Sequence, residues 1–359
     1  MKIGIDATPL CYPRPTGIGR YILNLVRNLR EIAPDSAYRL FASWPKVRKK
    51  DCVYPAEDMR YFVPSLAPLF IKGVDIFHQP AFKYVPAGRA HFLVTFFDAV
   101  VALPDDFTSK HSKEYNFPRY QKGALKAERI ITSSSFSRDE ISLHYGVSPE
   151  KIRMVPLGVE EKYFSAAGDP GFTASAGLRN YFLFVGNIER RKNIMGLIKA
   201  FEKVLKKHAG WQLVLAGQNG WGGEEADFYL SEKKDLTGRI IRYQYADEQT
   251  LMQLYGNASA FVFPSFYEGF GLPLLEAMAA GLPVLASDIL SSREIDPGNP
   301  IYFDPRSIED MSGAMLNLIE NIDSPKVREA ALRGRERAMK YTWRKTAEET
   351  LKIYKELLN

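Results

Sequence analysis

Two carboxylates with seven residues between them carry the most chemistry in this sequence. Glu268 and Glu276 lie in SFYEGFGLPLLEAMAAGLPVLASD (265–288). Ahead of them the strand-like run AFVFPS ends in a turn holding Gly269 and Gly271. Pro273 suits the first helical position, because the amide proton it lacks would be unpaired there. The helix is expected to run through Ala280 and to stop at Gly281. The backbone N–H groups of Phe270, Gly271 and Leu272 then stand at a positive helix end, a place for phosphate or sugar hydroxyls. Carboxylates do not bind phosphate. They accept hydrogen bonds from hydroxyls, as on a ribose or a hexose. Glu276 sits among Leu274, Leu275, Ala277 and Met278, which is an odd setting for a solvated acid.

A basic cluster supplies the complementary chemistry. In FLFVGNIERRKNIMGLIKAF (182–201) a strand ends at Gly186, and Arg190, Arg191 and Lys192 precede a helix. Cations at a strand's carboxyl end could clamp a diphosphate without a metal. A short glycine loop, Gly17 and Gly19 in TPLCYPRPTGIGRYILN (8–24), separates the first strand from the first helix. It would let the backbone approach a ligand, but Ile22 stands where a dinucleotide fingerprint has its third glycine. The histidines, His78, His91, His111, His144 and His208, show no zinc spacing, and Cys11 and Cys52 are isolated, so no metal is expected. His78 reads as a satisfied structural histidine more readily than as a ligand.

These residues need elements to hold them. The sequence alternates short apolar runs with longer amphipathic ones, the signature of α/β units on parallel sheets. Strands are expected over 2–7, 38–43, 75–79, 91–98, 129–134 and 152–156. Helices are expected over 17–33 and 137–146. The first would bury Ile22, Leu23, Val26 and Leu29 opposite a polar face of Arg20, Asn24, Arg27 and Glu31. The second would open with Ser137 as N-cap and Glu140 in a capping box, and stop at Gly146. Residues 166–180, rich in Gly, Ala, Ser and Pro, read as a linker. The rhythm then restarts, with strands over 181–187, 211–217, 239–245, 260–265, 282–287 and 300–304 and a helix over 193–208. Residues 342–358 read as a closing helix. The expected organisation is a Rossmann-like domain over 1–170, a second over 181–340 and a C-terminal helix, 341–359, returning to the first. Ligands would bind at the carboxyl ends of both sheets, in a cleft between the domains.

Composition narrows the class. The chain has 359 residues, 46% hydrophobic and 25% charged, with two cysteines, which excludes disordered, collagen-like and disulfide-scaffold proteins. No apolar run reaches the length of a membrane span, and the start MKIGIDATPL lacks the pattern of a signal peptide, so a cytoplasmic location is expected. Residues 1–170 hold 24 Lys and Arg against 18 Asp and Glu, whereas the remainder is balanced at 24 against 24. A basic first half points to an anionic partner such as the inner face of a membrane. Arg14, Arg20, Arg27 and Lys46 to Lys50 are the candidates there.

The motifs also share an order with a known family. They run from the glycine loop through SSSFSRDE (133–140), VPLGV (155–159), FVGN followed four residues later by KN, AGQNG, FPSFYEGFGLPLLE and YFDP. Over about residues 1–350 this resembles the retaining nucleotide-sugar glycosyltransferases of family 4, which have the GT-B fold. The T-G-I-G-R-Y and R-K-N stretches resemble its mannosyltransferase-like branch. The resemblance implies transfer of a hexose, mannose favoured, from a nucleoside-diphosphate sugar such as GDP-mannose to a glycan or lipid-linked acceptor in surface polysaccharide synthesis, with no cofactor and no metal. It implies that Lys192, aided by Arg191 or Arg190, holds the donor diphosphate, with Gly17 and Gly19 close to it. Glu268 would accept a donor-sugar hydroxyl beside the Phe270 and Gly271 amides, and Glu276 would bind the ribose. A residue of 243–245, Tyr245 among them, would flank the base. The sequence departs from the family at Phe97-Asp98, where a His-Asp pair is usual, so either Asp98 takes some polar duty or the site differs. It departs again at Asn187, a position often held by Arg.

Rival classes fit less well. An NAD-dependent oxidoreductase needs the glycine fingerprint that fails at Ile22. A nucleic-acid binder needs basic residues interleaved with aromatics, and the densest basic run, KVRKK (46–50), is short. A GT-B sugar-nucleotide epimerase or phosphorylase shares the fold; the epimerase differs in needing no acceptor.

Overall fold

The computed structural model describes residues 1–11, 16–43, 59–62, 66–80, 84–104 and 106–359. Arg14, Lys46 to Lys50 and Cys52 therefore lie outside the described residues. The chain forms two compact units. Unit 1 gathers Met1–Leu103, Lys110–Gly158 and Tyr341–Asn359; unit 2 gathers Pro104–Ser109 and Val159–Lys340.

Among the described residues, unit 1 holds seven parallel strands: β1 (Lys2–Asp6), β2 (Ala37–Ser43), β3 (Met59–Phe62), β4 (Ile76–Gln79), β5 (His91–Thr95), β6 (Arg129–Thr132) and β7 (Ile152–Met154). Their order is β3-β2-β1-β4-β5-β6-β7. Strand β1 pairs with both β2 and β4, so the strand order reverses between β1 and β4. Successive residues of β4, β5 and β6 are buried, so these strands read as near-continuous apolar runs rather than as alternation. Phe41, Phe77, Phe92, Phe96 and Tyr145 belong to one core cluster of this unit, and burying a large apolar side chain contributes about 1.5–3 kcal/mol.

Helix Gly17–Ile32 starts at Thr16, whose hydroxyl accepts from the Gly19 N–H at 3.2 Å. It buries Tyr21, Ile22, Leu25, Val26 and Leu29. Leu23, expected on that face, is exposed, because a helix turns 100° per residue and the buried stripe runs through Tyr21 and Leu25 instead. The second expected helix runs Ser135–Tyr145 with Ser134 rather than Ser137 as N-cap. The Ser134 hydroxyl accepts from the Ser137 N–H, and Ser137 is free to donate its own hydroxyl to the Phe97 carbonyl. Gly146 ends it in the left-handed region, at φ 69°. Helix Lys110–Lys126 escaped the sequence reading: Pro118 lies inside it and its apolar periodicity is weak.

The closing helix, Trp343–Leu358, packs within unit 1. Trp343 meets the Tyr21 ring edge-on at 6.2 Å. Gly158 is required here, since a Cβ on it would stand 2.2 Å from the Trp343 nitrogen. Deeper in, His78 of β4 is fully buried and bonds Tyr354 through Nδ1 and Thr95 through Nε2, both at 2.7 Å. Burial drives the imidazole down to about 3, so it is neutral. It is a structural histidine.

Unit 2 holds six parallel strands among the described residues: β8 (Tyr181–Val185), β9 (Gln212–Ala216), β10 (Ile240–Tyr243), β11 (Ala260–Phe263), β12 (Val284–Ser287) and β13 (Ile301–Phe303). Their order is β10-β9-β8-β11-β12-β13. Phe182, Phe184, Phe201, Trp211 and Leu213 lead its core. The strands expected in this half are all present, each trimmed by one to three residues where the run passes into a loop. Residues 166–180, expected as a linker, contain a short helix, Pro170–Ser175, capped by the Asp169 carboxylate.

Candidate active site

In unit 2 the strand order reverses between β8 and β11. In such a sheet the crevice for ligands opens at the carboxyl ends of those two strands. The loop after β8 delivers Arg190, Arg191 and Lys192 in a single 3-10 turn, and the loop after β11 delivers Glu268. The two loops are tied together by the Phe266 N–H, which donates to the Arg191 carbonyl at 2.9 Å. Close approach of the neighbouring β8 and β9 ends requires Gly217, where a Cβ would stand 1.9 Å from the Gly186 carbonyl oxygen.

The side chains converge. Lys192 is 7% exposed and Glu268 6%, and the Lys192 ammonium pairs with Glu268 Oε1. The Ser265 hydroxyl donates to the same oxygen at 2.9 Å. Arg191 Nη1 donates to Glu268 Oε2 at 2.9 Å and to the Tyr267 carbonyl at 3.0 Å, while its Nη2 bonds Glu189 at 2.7 Å. Burial alone would raise the Glu268 carboxyl, but the Arg191 and Lys192 charges and their hydrogen bonds outweigh it and hold the acid at about 2. Burial pulls the Lys192 ammonium below the ordinary lysine value; Glu268 opposes that pull and Arg191 adds to it. The cluster thus carries two cations against one fully ionised acid, with Glu189 at its rim.

Asn193, which the sequence reading did not single out, fixes this turn. Its φ is 56°, and no other described non-glycine residue has a positive φ. Its amide donates to the Pro305 carbonyl at 2.8 Å. Asn tolerates the left-handed region better than most residues, and that was the available signal in the K-N pair.

Helix Leu272–Ala279 begins at Gly271 with no side-chain cap, and Pro273 is in its first turn. Phe270 is buried beside it. Glu276, 1% exposed, accepts from the Tyr255 hydroxyl at 3.0 Å. Tyr255 comes from helix Glu248–Asn257, and its place could not be read from spacing alone because the partner lies on a different element.

Arg190 turns from the Glu268 cluster to pair with Glu225 and Asp106, its guanidinium 5.8 Å from the Trp221 ring centre. Asn187 is exposed on the loop after β8, and Tyr245 is exposed after β10. Gly17 and Gly19 belong to unit 1 and sit in the first helical turn rather than in a loop; the Gly19 N–H is taken by Thr16. Asp98 also belongs to unit 1, where its Oδ1 accepts from the Val100 N–H at 3.0 Å. Phe97 packs edge-on against Tyr21, ring centres 5.0 Å apart. Among the described residues no three His, Cys, Asp or Glu side chains converge as a metal site, and no helix is long and apolar enough to cross a membrane.

Residues 171–336 match the family described as Glycosyl transferases group 1. The chain is 29% identical over 384 residues to O-antigen chain mannosyltransferase B of Escherichia coli, an alignment covering 99% of this chain and 100% of the other. Sucrose-phosphate synthase from Thermosynechococcus elongatus is similar in fold, with a TM-score of 0.78 at 20% identity over 100% of this chain and 99% of that one. So is Anabaena Alr3699/HepE, solved in complex with UDP-glucose, with a TM-score of 0.75 at 14% identity over 99% of each chain. The fold is therefore GT-B, two α/β units of parallel strands.

Proposed function

Because residues 171–336 of this chain are a glycosyl transferases group 1 domain, we propose that the protein is a retaining, metal-independent glycosyltransferase that moves mannose from GDP-mannose to a glycan or lipid-linked acceptor in surface polysaccharide synthesis. The observation that supports this most is the buried cluster of Lys192, Arg191 and Glu268 at the carboxyl ends of β8 and β11. The full-length likeness to an O-antigen chain mannosyltransferase favours mannose over other hexoses.

In this reading the donor diphosphate takes up the Lys192 and Arg191 hydrogen bonds, together with the amides at the start of helix Leu272–Ala279. Release from Lys192 leaves Glu268 Oε1 able to accept a donor-sugar hydroxyl. Glu276, oriented by Tyr255, accepts from the ribose, and Tyr245 flanks the base. In the same reading unit 1 takes the acceptor, and its Gly17, Gly19 and Asp98 keep the roles that the resemblance implies. The bond between the anomeric carbon and the diphosphate oxygen breaks, and the bond to the acceptor oxygen forms on the same face. The acceptor's proton passes to the leaving phosphate. The protein's contribution is to stabilise the charge that develops on the leaving group and to fix geometry. The cations of the first half, exposed Arg27 among them, hold the enzyme at an anionic membrane surface.

The test is the anomeric configuration of the product, followed by proton NMR during turnover of GDP-mannose. The axial configuration of the donor should persist in the first-formed product. An inverted product overturns the retaining reading, and donor turnover of equal rate without acceptor favours an epimerase or a hydrolase instead.

A further inference from the structure

Arg190 leaves an unexplained place in the molecule. It stands next to the cations proposed to hold the donor, yet Glu225 and Asp106 neutralise it. Beside it unit 2 forms an open cavity of about 410 Å3. Its lining includes Asp106, Glu189 and Glu225 against one cation, Arg190, with Phe107 and Phe266 as aromatic wall. The two phenyl rings stack with centres 6.1 Å apart and planes 15° from parallel. The cavity shares the Arg190–Lys192 turn with the candidate active site, and Phe266 stands two residues before Glu268.

Charge decides what such a cavity can take. Arg190 is committed to the Glu225 and Asp106 carboxylates and Glu189 is held by Arg191, so this lining offers a phosphate no uncommitted cation, which argues against the donor's diphosphate. The same carboxylates are strong acceptors for hydroxyl protons, and Arg190 is a donor for hydroxyl oxygens. Aromatic rings offer apolar faces to C–H groups. Oriented acceptors and one donor around an apolar wall, in a volume typical of small-ligand sites, fit a neutral polyhydroxylated ring. The lining is also held in place. The Arg190 N–H donates to the Trp221 carbonyl at 3.0 Å, and the Asn219 side chain on that loop accepts from Arg242 at 2.9 Å. A rigid wall loses little entropy on binding.

We propose that this cavity is a subsite for a neutral pyranose unit of the acceptor glycan, formed by Glu225, Arg190 and Phe266 on unit 2. It rests on the glycosyltransferase reading and adds to it a second unit that grips the acceptor.

The experiment uses the full chain and two ligand sets. Thermal melting with GDP-mannose reads donor binding. Saturation-transfer NMR with α-linked mannobiose, maltose and lactose reads pyranose binding. The variants are Glu225→Gln and Phe266→Ala, and the second covers the event that the first fails to fold. The wild type should bind at least one disaccharide, and a folded variant should lose tenfold or more of that affinity while keeping the GDP-mannose melting shift. If the wild type binds none of the three, or the variants bind them as the wild type does, the subsite is wrong. Loss of the donor shift in the same variants assigns the cavity to the donor and also overturns the proposal. A wild type whose melting no nucleotide sugar changes would instead sink the reading beneath it.

Discussion

Glu268 accepts from Lys192, Arg191 and Ser265, and the proposed function gives each of those bonds a different bearing on the transferring group. The proposed function places Lys192 at the leaving diphosphate, so Lys192→Ala should remove a donor that counts most as charge develops. Such a loss costs ~3–4 kcal/mol in the barrier, or 10²–10³ in rate. Glu268→Ala should cost a similar factor and also leaves two cations without their buried partner, which lowers stability. Steady-state turnover at saturating donor checks both, and a variant keeping more than ~10% of wild-type turnover contradicts the assigned role. The sequence made these two residues legible, because a cation run at one strand end and an acid pair at another are chemically distinctive. It did not make their mutual ion pair legible, since 76 residues separate them and only the strand order brings them together. Arg190 shows the same limit: its charge was readable, but its carboxylate partners lie on other elements.

Strands were the most readable elements. A buried parallel strand such as YFLFV at Tyr181–Val185 is apolar on both faces, so it stands out against the polar loops. Strand β3 and helix Lys110–Lys126 were not readable, the one because MRYF carries a charge in a short run, the other because Pro118 and a mixed face hide its period. Among the contacts between elements, the His78 bridge from β4 to Tyr354 on helix Trp343–Leu358 makes a prediction about pH. The folded imidazole titrates at about 3 against an ordinary 6.5. The unfolded chain therefore binds the extra proton first. The stability this group contributes is fully present above pH 6.5 and is lost as pH falls from 6.5 toward 3. The slope is at most ~1.4 kcal/mol per pH unit. Denaturant unfolding of wild type and His78→Gln at pH 7 and pH 5 should show a smaller pH loss in the variant, and equal losses in both would remove His78 as the cause.

At the scale of the whole molecule the two sheets run 3-2-1-4-5-6 from their first strands, with one further strand in unit 1. That duplication was legible from the restart of the strand rhythm after residue 180. The closing helix packs within unit 1, as the expected organisation has it, and the physical signals for that packing, Gly158 and Trp343, are far apart in sequence. The net charge of +6 lies in the first half of the chain. Membrane docking through that charge predicts co-sedimentation with vesicles rich in anionic lipid at low salt and release at high salt, because exposed charges are screened over about 8–10 Å near physiological ionic strength. Failure to bind in either condition counts against docking and leaves the enzyme reading untouched. The central claim is that Lys192 and Glu268 hold a nucleoside-diphosphate sugar, and thermal melting of the wild type and Lys192→Ala with GDP-, UDP-, ADP- and dTDP-sugars tests it most directly. The wild type should gain ~2.7 kcal/mol of stability from one donor at a hundred times its Kd, and the variant should lose that gain; no shift with any of the four, or an undiminished shift in Lys192→Ala, would contradict the account.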